Sequence, residues 1–565
     1  MQFPLEDQPR RGSSLRTKNE RHNIRAGDAA TIGRATLIYM AGMILGKLTG
    51  FVRELLIVPK FGYGLFSDAY INAFQIPDFI YELLIGGVVA AVLTPTLSSG
   101  IERRREGKAW QSVNIFMSAA ILAMAACLLL AELLAPALMG LITGSAGPDA
   151  SENLKAMTAM SIPVTRILFI QSFFMMLIAL AHGVLSAYKR FTPMALGPSL
   201  YNLCYMAVLL AFGVPSEKGL RSVALGVVGS ALIYFLYQFL ACRHEWHWFS
   251  WNTDFQDPGF RRLLQLAIPT LLSGSVLHLS AIIMNRFANG LNIPGAVTGI
   301  RQCITSWSLP YAIFAVSIGN VMLPNLAGFY AQKDARKVRS LYSSSLRRAL
   351  FYVLPFALGF GLLNFETIQA IFQWNTETYS NAQVALTASA LRWFCVTMLA
   401  QTVVFLTNQA FYARKITRLA LFTGLLSLIL IPIFSWIFTG PLGLGLEGIG
   451  LAHACYSVVT ALMLYQLYKR HRYDYRPARI LPFMLRLSFC AGAAALVLLG
   501  LKQIPLYPGR KLLQLIWYAC KMGLGVFTYY VAGLSLQLRE AVRLQVRLRR
   551  FFHLPPVEEL ERIVR

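Results

Sequence analysis

Charged residues are scarce in this sequence, and acidic residues are the scarcest of them. Only 14% of the 565 residues are charged, against about 25% in soluble domains, and 26 Asp and Glu stand against 52 Lys and Arg. Hydrophobic residues make up 56% of the chain. This composition excludes an ordinary soluble domain and indicates an integral membrane protein.

Several residue patterns that would indicate catalysis, metal binding or disulfides are also missing. The eight cysteines have no Cys-x-x-Cys spacing and lie within or at the ends of apolar runs, so we interpret them as small buried residues. His182, His278 and His453 lie in separate runs without metal-ligand spacing. No glycine-rich phosphate loop follows a strand. We therefore expect a protein that is not an enzyme, has no metal site or cofactor, and performs no ATP-driven step within this chain.

Long apolar runs are what the chain has instead. Runs of about twenty residues or more, enough for a helix to cross a bilayer, recur between residues 35 and 536 and are separated by short polar stretches. The short alternating strands of a β-barrel are not seen. The pattern predicts an all-α membrane protein with about fourteen transmembrane helices.

The net charge of +26 is concentrated in every second loop. Loops 101–108 and 331–339 are basic, whereas intervening loops such as 144–153 and 375–381 are neutral or acidic. Because Lys and Arg are retained on the cytoplasmic side, we expect both termini to be cytoplasmic, although the basic loop 502–511 falls outside in this topology. The alternation argues against nucleic acid as the partner of the basic residues.

The second half of the chain repeats the first. Pro95 and Pro324, each followed by a basic loop, are 229 residues apart, and Arg166 and Arg392 are 226 apart. A repeat of six helices returns the chain to the same side, which predicts two parallel six-helix lobes followed by two further helices. The predicted division is a basic cytoplasmic leader at 1–34, an N-lobe at 35–243, a C-lobe at 258–470, helices 13 and 14 at 480–537, and a cytoplasmic amphipathic tail at 538–565.

Ionisable residues interrupt the first two apolar runs. Lys47, Arg53 and Glu54 lie in the first run, and Asp78 and Glu82 lie in the second. A charge at the membrane centre costs about 3 kcal/mol even on the mildest scale, so several charges in successive spans predict a shared polar cavity. Helical spacing places Lys47 and Glu54 on one face of their helix. For any one of these residues, an ion pair that only holds helices together is the alternative.

Positive charge predominates within the predicted spans, where the further cations are Arg166, Arg286, Arg301, Arg392 and Lys521. Arg286 lies near the outer end of its helix and could reach the headgroups, and Lys521 could pair within helices 13 and 14. Because the guanidinium fork suits phosphate or carboxylate, we expect an anionic substrate. Two lobes around a midplane site are typical of an alternating-access transporter, and no repeated filter loop indicates a channel.

The first two runs also carry a specific motif. Its residues are Lys47, Gly50, Phe51, Arg53, Glu54, Phe61, Gly62, Ser67, Asp68, Ala69, Tyr70, Phe74, Ile76, Pro77 and Asp78. The pattern resembles the first two helices of the MurJ (MviN) family of lipid II flippases, in the multidrug/oligosaccharidyl-lipid/polysaccharide exporter superfamily. The Leu-Pro-Asn-Leu at 323–326 and the two added C-terminal helices extend the resemblance over nearly the whole chain.

The resemblance implies both a fold and a function. The fold would be two lobes in a V within the bacterial plasma membrane, and the cargo would be lipid II, a lipid-linked peptidoglycan precursor flipped to the outer leaflet without ATP. In that family cationic cavity residues hold the diphosphate, and helices 13 and 14 form a groove for the polyprenyl tail. Together with the charge pattern, the resemblance predicts the substrate-binding cations Lys47, Arg53, Arg301, Arg166 and Arg392 and the cavity acids Glu54, Asp68, Asp78 and Glu82.

The chain departs from the family pattern at three positions. After Pro77 the family commonly has a basic pair and then an acid, where this chain has Tyr81 and Glu82. The family's arginine five residues before the proline of helix eight is Thr305 here, and Arg301, one turn earlier on the same face, could substitute for it.

Other functions therefore stay open. Within transporters, the alternatives are an exporter of another undecaprenyl-diphosphate-linked oligosaccharide and a cation-coupled drug exporter of the same superfamily. A membrane scaffold that transports nothing is the alternative from another class. Coupling to the membrane potential or to a monovalent cation, and contact with other cell-wall synthesis proteins, are further expectations.

Overall fold

The computed structural model describes residues 41–85, 89–144, 151–416, 418–470, 481–505, 510–552 and 555. Every regular element among these residues is helical, so the predicted all-α class is confirmed. The predicted leader at 1–34 and the end of the predicted tail lie outside the described residues.

The first half of the chain contains nine helices among its described residues. They are α1 (41–55), α2 (Ile57–Phe61), α3 (Leu65–Ala73), α4 (Gln75–Ile85), α5 (Thr94–Glu102), α6 (Glu106–Thr143), α7 (Glu152–Ala187), α8 (Phe191–Phe212) and α9 (Glu217–Ala241). Gly62 and Gly64 have φ angles of 76° and 150°, which favour glycine, and they turn the chain between α2 and α3. Ser151 and Ser216 begin α7 and α9, because each side chain accepts a hydrogen bond from a backbone N–H of the first turn.

The second half has the same kind of organisation. Its helices are α10 (Pro258–Gly290), α11 (Ala296–Tyr311), α12 (Ser317–Ala331), α13 (Ala335–Leu362), α14 (Asn364–Phe372), α15 (Asn381–Ala413), α16 (Arg418–Thr439) and α17 (Gly445–Arg470), followed by α18 (Leu481–Lys502), α19 (Lys511–Ser535) and α20 (Arg539–Phe551). A π-helical turn at Val89–Leu93 precedes α5, and another at Ala312–Val316 joins α11 to α12. The equivalent run of each half thus carries the same irregularity.

Ten helices among the described residues are long and apolar enough to cross a membrane. They are α6, α7, α8, α9, the continuous stretch Ala296–Ala331, α13, α15, α16, α17 and α18. The first two predicted runs are not among the ten, because their described residues form only shorter helices. The multi-pass architecture is therefore present, and the count of fourteen stays a prediction.

Each half buries its own hydrophobic core. In the first half Trp110 of α6 packs in a cluster with Leu180 and Val184 of α7. In the second half Tyr342 of α13 packs in a cluster with Phe411 of α15. Helix α10 contacts both halves, since it packs against α6 and α4 as well as against α16. The proposed lobes are thus joined by α10.

A stripe of glycines fixes the position of α1. Gly42, Gly46 and Gly50, at intervals of four residues, lie against α8. A Cβ atom at Gly42 would lie 2.6 Å from the Ala195 Cβ, and one at Gly46 would lie 3.3 Å from the Pro198 Cβ. Small residues at this spacing let two helices approach closely. The close approach determines where the charged residues of the next turn of α1 lie.

Candidate functional site

A polar cavity of about 260 Å³ lies inside the first half, and α11 of the second half closes one wall. Its lining residues are Arg53, Glu54, Ile57, Tyr70, Ile71, Phe74, Asp78, Tyr81, Gln171, Ser172, Met175, Tyr201, Tyr205 and Arg301. Among these residues, Arg301 is the single contribution of the second half. The structure thus brings together four of the predicted site residues, from three separate apolar runs.

The carboxylate of Glu54 lies between two arginines. Its Oε1 is 2.8 Å from Nη2 of Arg53 and 2.9 Å from Nη2 of Arg301, and its Oε2 is 3.0 Å from Nε of Arg301. Arg301 therefore makes a bidentate pair, which is the strongest form of this interaction. The pair connects α1 in the first half to α11 in the second half.

The two arginines differ in how firmly they are held. Arg53 also donates to Oδ1 of Asn202 at 3.1 Å, and its guanidinium lies 4.8 Å from the centre of the Tyr205 ring. Its side chain is 20% exposed, whereas that of Arg301 is 48% exposed. In the described structure Arg301 has Glu54 as its sole ion-pair partner. Arg301 is therefore the arginine that a ligand can reach more easily.

Asp78 is the second carboxylate of the cavity. Its side chain is partly exposed to the cavity, and it has no hydrogen bond or ion pair with another described residue. Two arginines and two carboxylates give this part of the cavity a balanced formal charge. The expected excess of positive charge is therefore not found among the charged residues that line it.

An aromatic wall covers the side of the cavity formed by α3, α4 and α8. Tyr70 and Tyr205 are hydrogen bonded through their hydroxyl groups, and the Phe74 ring is stacked on Tyr205 with centroids 6.5 Å apart. Tyr201 lies edge to face with Tyr205 at 5.8 Å. The sequence reasoning missed this wall. Its signal was the spacing of Tyr201 and Tyr205, four residues apart and therefore on one face of a helix.

Lys47 lies outside the lining of the cavity. It is exposed on α1 and forms no ion pair with the residues that the structure describes. It shares the helix face of Glu54 and lies about 10 Å from it along the axis. Lys47 thus lies on the same helix face as Glu54, as predicted, but it does not line the cavity.

Two predicted substrate-binding cations lie elsewhere in the molecule. Arg166 is 3.2 Å from Glu132 of α6, and both side chains are nearly half exposed. Arg392 pairs with Glu447 of α17, which also accepts a hydrogen bond from the Trp393 indole at 2.8 Å. Neither arginine lines this cavity, and each forms an ion pair with an acid of a neighbouring helix.

Asp68 does not line this cavity, and it joins the two halves at one end of the molecule. Its carboxylate accepts hydrogen bonds from the backbone N–H of Gly295 at 2.7 Å and of Thr298 at 2.8 Å, and from the Thr298 hydroxyl at 2.6 Å. A negative charge at the N-terminus of α11 is favourable. Nearby, the rings of Tyr63 and Tyr379 are stacked with centroids 4.3 Å apart. We call this group of contacts the outer joint.

The remaining charged residues also have specific partners. Glu82 lies 3.9 Å from Nε2 of His278 on α10 and does not line the cavity. Lys521 lies on α19, and its ion-pair partner is not within the predicted helices 13 and 14, which are α18 and α19. Its ammonium is 3.0 Å from Glu366 on α14 of the structure. The guanidinium of Arg286 lies against Gly144 at the end of α6.

Comparison with known proteins decides the family of the chain. A family model described as "Lipid II flippase MurJ" matches residues 57–516, which is most of the chain. The chain belongs to the MurJ family. Members of the MurJ family are named as lipid II flippases, which makes them transporters and not enzymes.

Named MurJ proteins match the chain over most of their length. Lipid II flippase MurJ of Burkholderia cenocepacia is 26% identical over 480 residues, which cover 83% of this chain and 89% of that protein. Probable lipid II flippase MurJ of Rhizobium tropici is 24% identical over 446 residues, which cover 77% of this chain and 80% of that protein.

Solved structures support the same fold. "Lipid II flippase MurJ, inward closed conformation" has a TM-score of 0.71 at 17% identity and covers 88% of this chain and 98% of its own. An inward-facing multidrug resistance MATE family transporter of the MOP superfamily has a TM-score of 0.61 at 16% identity and covers 78% of this chain.

The departures from the MurJ pattern can now be located. Tyr81 lines the cavity where the MurJ pattern places a basic residue, so an aromatic ring replaces a positive charge there. Thr305 lines a small recess beside Glu54 and Arg301. Arg301 thus occupies the position next to the missing arginine, as the one-turn spacing predicted.

Proposed function

We propose that this protein flips lipid II from the inner to the outer leaflet of the bacterial plasma membrane by alternating access, without ATP. Membership of the MurJ family supports the cargo, and the cavity of the first half, closed on one side by α11 of the second half, supports the mechanism. The observation that carries the proposal is the Arg53–Glu54–Arg301 group, which places two guanidinium groups from different halves beside one cavity.

The conformation that we infer is open towards the cytoplasm. The outer joint lies beside loop 375–381, because the backbone N–H of Tyr63 donates to the carbonyl of Thr378. The charge pattern predicts that this loop is outside and that both termini are cytoplasmic. At the opposite end of the cavity, residues 43, 44, 45, 47 and 48 of α1 are exposed. Helix α1 packs there against α8 through its glycine stripe. A lipid headgroup could enter from that side.

The Glu54 carboxylate binds Arg301 at the position where we expect the cargo diphosphate to bind. Phosphate oxygens and a carboxylate present the same bidentate acceptor to a guanidinium fork. A diphosphate therefore competes with Glu54 for Arg301, while Arg53 stays held by Asn202 and Tyr205. Lys47, exposed on the same face of α1, adds a positive charge on the path into the cavity.

Other parts of the cargo have matching surfaces. The aromatic wall offers ring faces to a sugar, and Gln171 and Ser172 add polar groups beside it. Large exposed apolar side chains on α18 and α19, the predicted helices 13 and 14, provide a surface for the lipid tail, and Phe489 and Phe527 are two of them. The membrane potential favours outward movement of an anion by about 2.3 kcal/mol per charge per 100 mV, so it can drive the step. We also propose that transport can be coupled to a monovalent cation. Other cell-wall synthesis proteins are the proposed partners.

Arg301 is the residue that tests this function. We expect Arg301→Gln to slow flipping of fluorescent lipid II in proteoliposomes by tenfold or more, since a charge-assisted hydrogen bond contributes about 1.5–3 kcal/mol. Arg166→Gln removes the same charge from an exposed pair outside the cavity and serves as the control. If Arg301→Gln flips lipid II at the parent rate while remaining folded, Arg301 does not bind the cargo and the proposed site is wrong. If the parent protein itself flips no lipid II, the scaffold alternative is correct.

A further inference from the structure

A second group of arginines lies far from the cavity, where α13 meets α20. Helix α20 contains five arginines and one acid, Glu540. Helical geometry places Arg539, Arg543, Arg547 and Arg550 within roughly 80° of its circumference. The sequence analysis predicted an amphipathic tail here, and the structure adds that one edge of the arginine stripe lies beside α13.

Helix α20 is held in place by its apolar residues. Leu538 and Ala541 are buried in a cluster with Phe351 of α13, Phe483 of α18 and Tyr529 of α19. One side of the helix therefore packs on the protein and does not lie free on the membrane. The arginine stripe has a fixed position relative to α13.

The single acidic residue of α20 already forms an ion pair. Glu540 is 3% exposed and lies 3.3 Å from Nε of Arg347. The next residue of α13, Arg348, interacts electrostatically with Arg543 and Arg547, which carry the same charge. In the described part of the chain none of these three arginines forms an ion pair. Glu540 also acts on Arg348, but that carboxylate is paired with Arg347, and the Arg348 guanidinium donates to the Ser344 carbonyl and the Ser345 hydroxyl. Arg347, Arg348, Arg543 and Arg547 therefore share one acid, and the excess of positive charge indicates a site for an anion.

Two tyrosines complete the group. Tyr352, one turn after Arg348 on α13, interacts electrostatically with Arg348, Arg543 and Arg547. It also interacts with Tyr530 of α19, whose hydroxyl is buried without a hydrogen-bond partner among the described residues. Hydroxyl and guanidinium groups from α13, α19 and α20 thus interact electrostatically with one another where these helices pack.

The level of this group in the membrane indicates the ligand. Helix α19 ends at Ser535 and α20 begins at Arg539, so the arginines follow directly on the last apolar run that the sequence predicts to span the membrane. Exposed apolar side chains, Val531 on α19 and Leu548 and Phe552 at the end of α20, lie on either side of that boundary. Basic pockets between helices at the cytoplasmic surface bind anionic lipid headgroups. We propose that Arg348, Arg543 and Arg547, with Tyr352 and Tyr530, bind the phosphate of an anionic phospholipid of the inner leaflet.

Native mass spectrometry on the full-length protein tests this site. We expect the parent protein to retain phosphatidylglycerol over phosphatidylcholine, and R348Q/R543Q/R547Q to bind it about a hundredfold more weakly, at about fivefold per arginine. R103Q/R262Q/R336Q removes the same charge from exposed arginines elsewhere and should bind like the parent. Equal loss of binding in both triple variants would overturn the proposal, as would parent-level binding in the first. R348K/R543K/R547K, which keeps the charge, should retain part of the affinity and shows that folding is not the cause.

Two further measurements distinguish an anionic phospholipid from other anions that could bind these arginines. If undecaprenyl diphosphate binds at these arginines and phosphatidylglycerol does not displace it, the site belongs to the cargo and the phospholipid assignment is wrong. The chain continues with Glu558, Glu559 and Glu561. If phosphatidylglycerol binds only after all three are changed to glutamine, the tail occupies the site and the proposal fails. Flipping by the parent and by R348Q/R543Q/R547Q is measured in parallel, so that failure here is distinct from failure of the flippase function.

Discussion

The Glu54→Gln variant tests whether Glu54 competes with the cargo diphosphate for Arg301 or only orients the two arginines. Glutamine keeps the shape of the side chain but removes the charge that holds Arg301. The structure shows two hydrogen bonds from the Arg301 fork to Glu54, at 2.9 and 3.0 Å, and the arginine side chain is about half exposed. After allowance for solvent screening, such a pair contributes about 1–2 kcal/mol.

A diphosphate that competes with Glu54 gains this free energy when the carboxylate is removed. We therefore expect Glu54→Gln to bind a short polyprenyl diphosphate about tenfold more tightly, because 1.4 kcal/mol corresponds to a factor of ten. Flipping should become slower, since the carboxylate that returns to the arginines on release is gone. Titration calorimetry in detergent measures the first effect, and a proteoliposome assay measures the second.

The matched control is Glu447→Gln, which removes a carboxylate from an arginine pair outside the cavity. That variant should bind the diphosphate like the parent. Unchanged or weaker binding in Glu54→Gln, with an intact fold, would refute the reasoning. Glu54 would then orient the arginines and would not compete with the ligand.

Two further predictions concern the frame around the cavity. Asp68→Asn removes the charge that three donors share, so we expect faster hydrogen exchange at the amides of Gly295 and Thr298 by mass spectrometry, with Asp334→Asn at another helix start as the control. Gly46→Leu should lower the melting temperature by several degrees, because its Cβ would lie 3.3 Å from Pro198, whereas Gly492→Leu meets no atom within 4 Å and should not.

Sequence periodicity predicted which residues share a helix face, and this succeeded within single helices. Arg53 and Glu54 reach the cavity, and Arg301 lies one turn before Thr305 beside it. Charges within apolar runs correctly indicated a polar interior, because their cost in lipid demands one.

The periodicity of one helix does not show which residue of a neighbouring helix its side chains contact. Glu132 pairs with Arg166 and Glu447 pairs with Arg392. Each acid is the only one in its apolar run, but the spacing within that run does not show which arginine it faces. Asp68 contacts an amide 227 residues away, which depends on how the halves dock and not on local spacing. The predicted positive cavity was therefore too positive, since two of its cations lie in other pairs.

The arrangement of contacts makes a specific demand on alternating access. Opening the outer joint breaks the three hydrogen bonds of Asp68, and bonds to a charged group contribute about 1.5–3 kcal/mol each. A ligand shifts a conformational equilibrium only by its difference in affinity between the two states. Within the cavity, the described ion pairs between the halves are those of Arg301 with Glu54. The cargo must therefore draw Arg301 from Glu54 and hold it more strongly in the outward state, by several kcal/mol, for the outer joint to open.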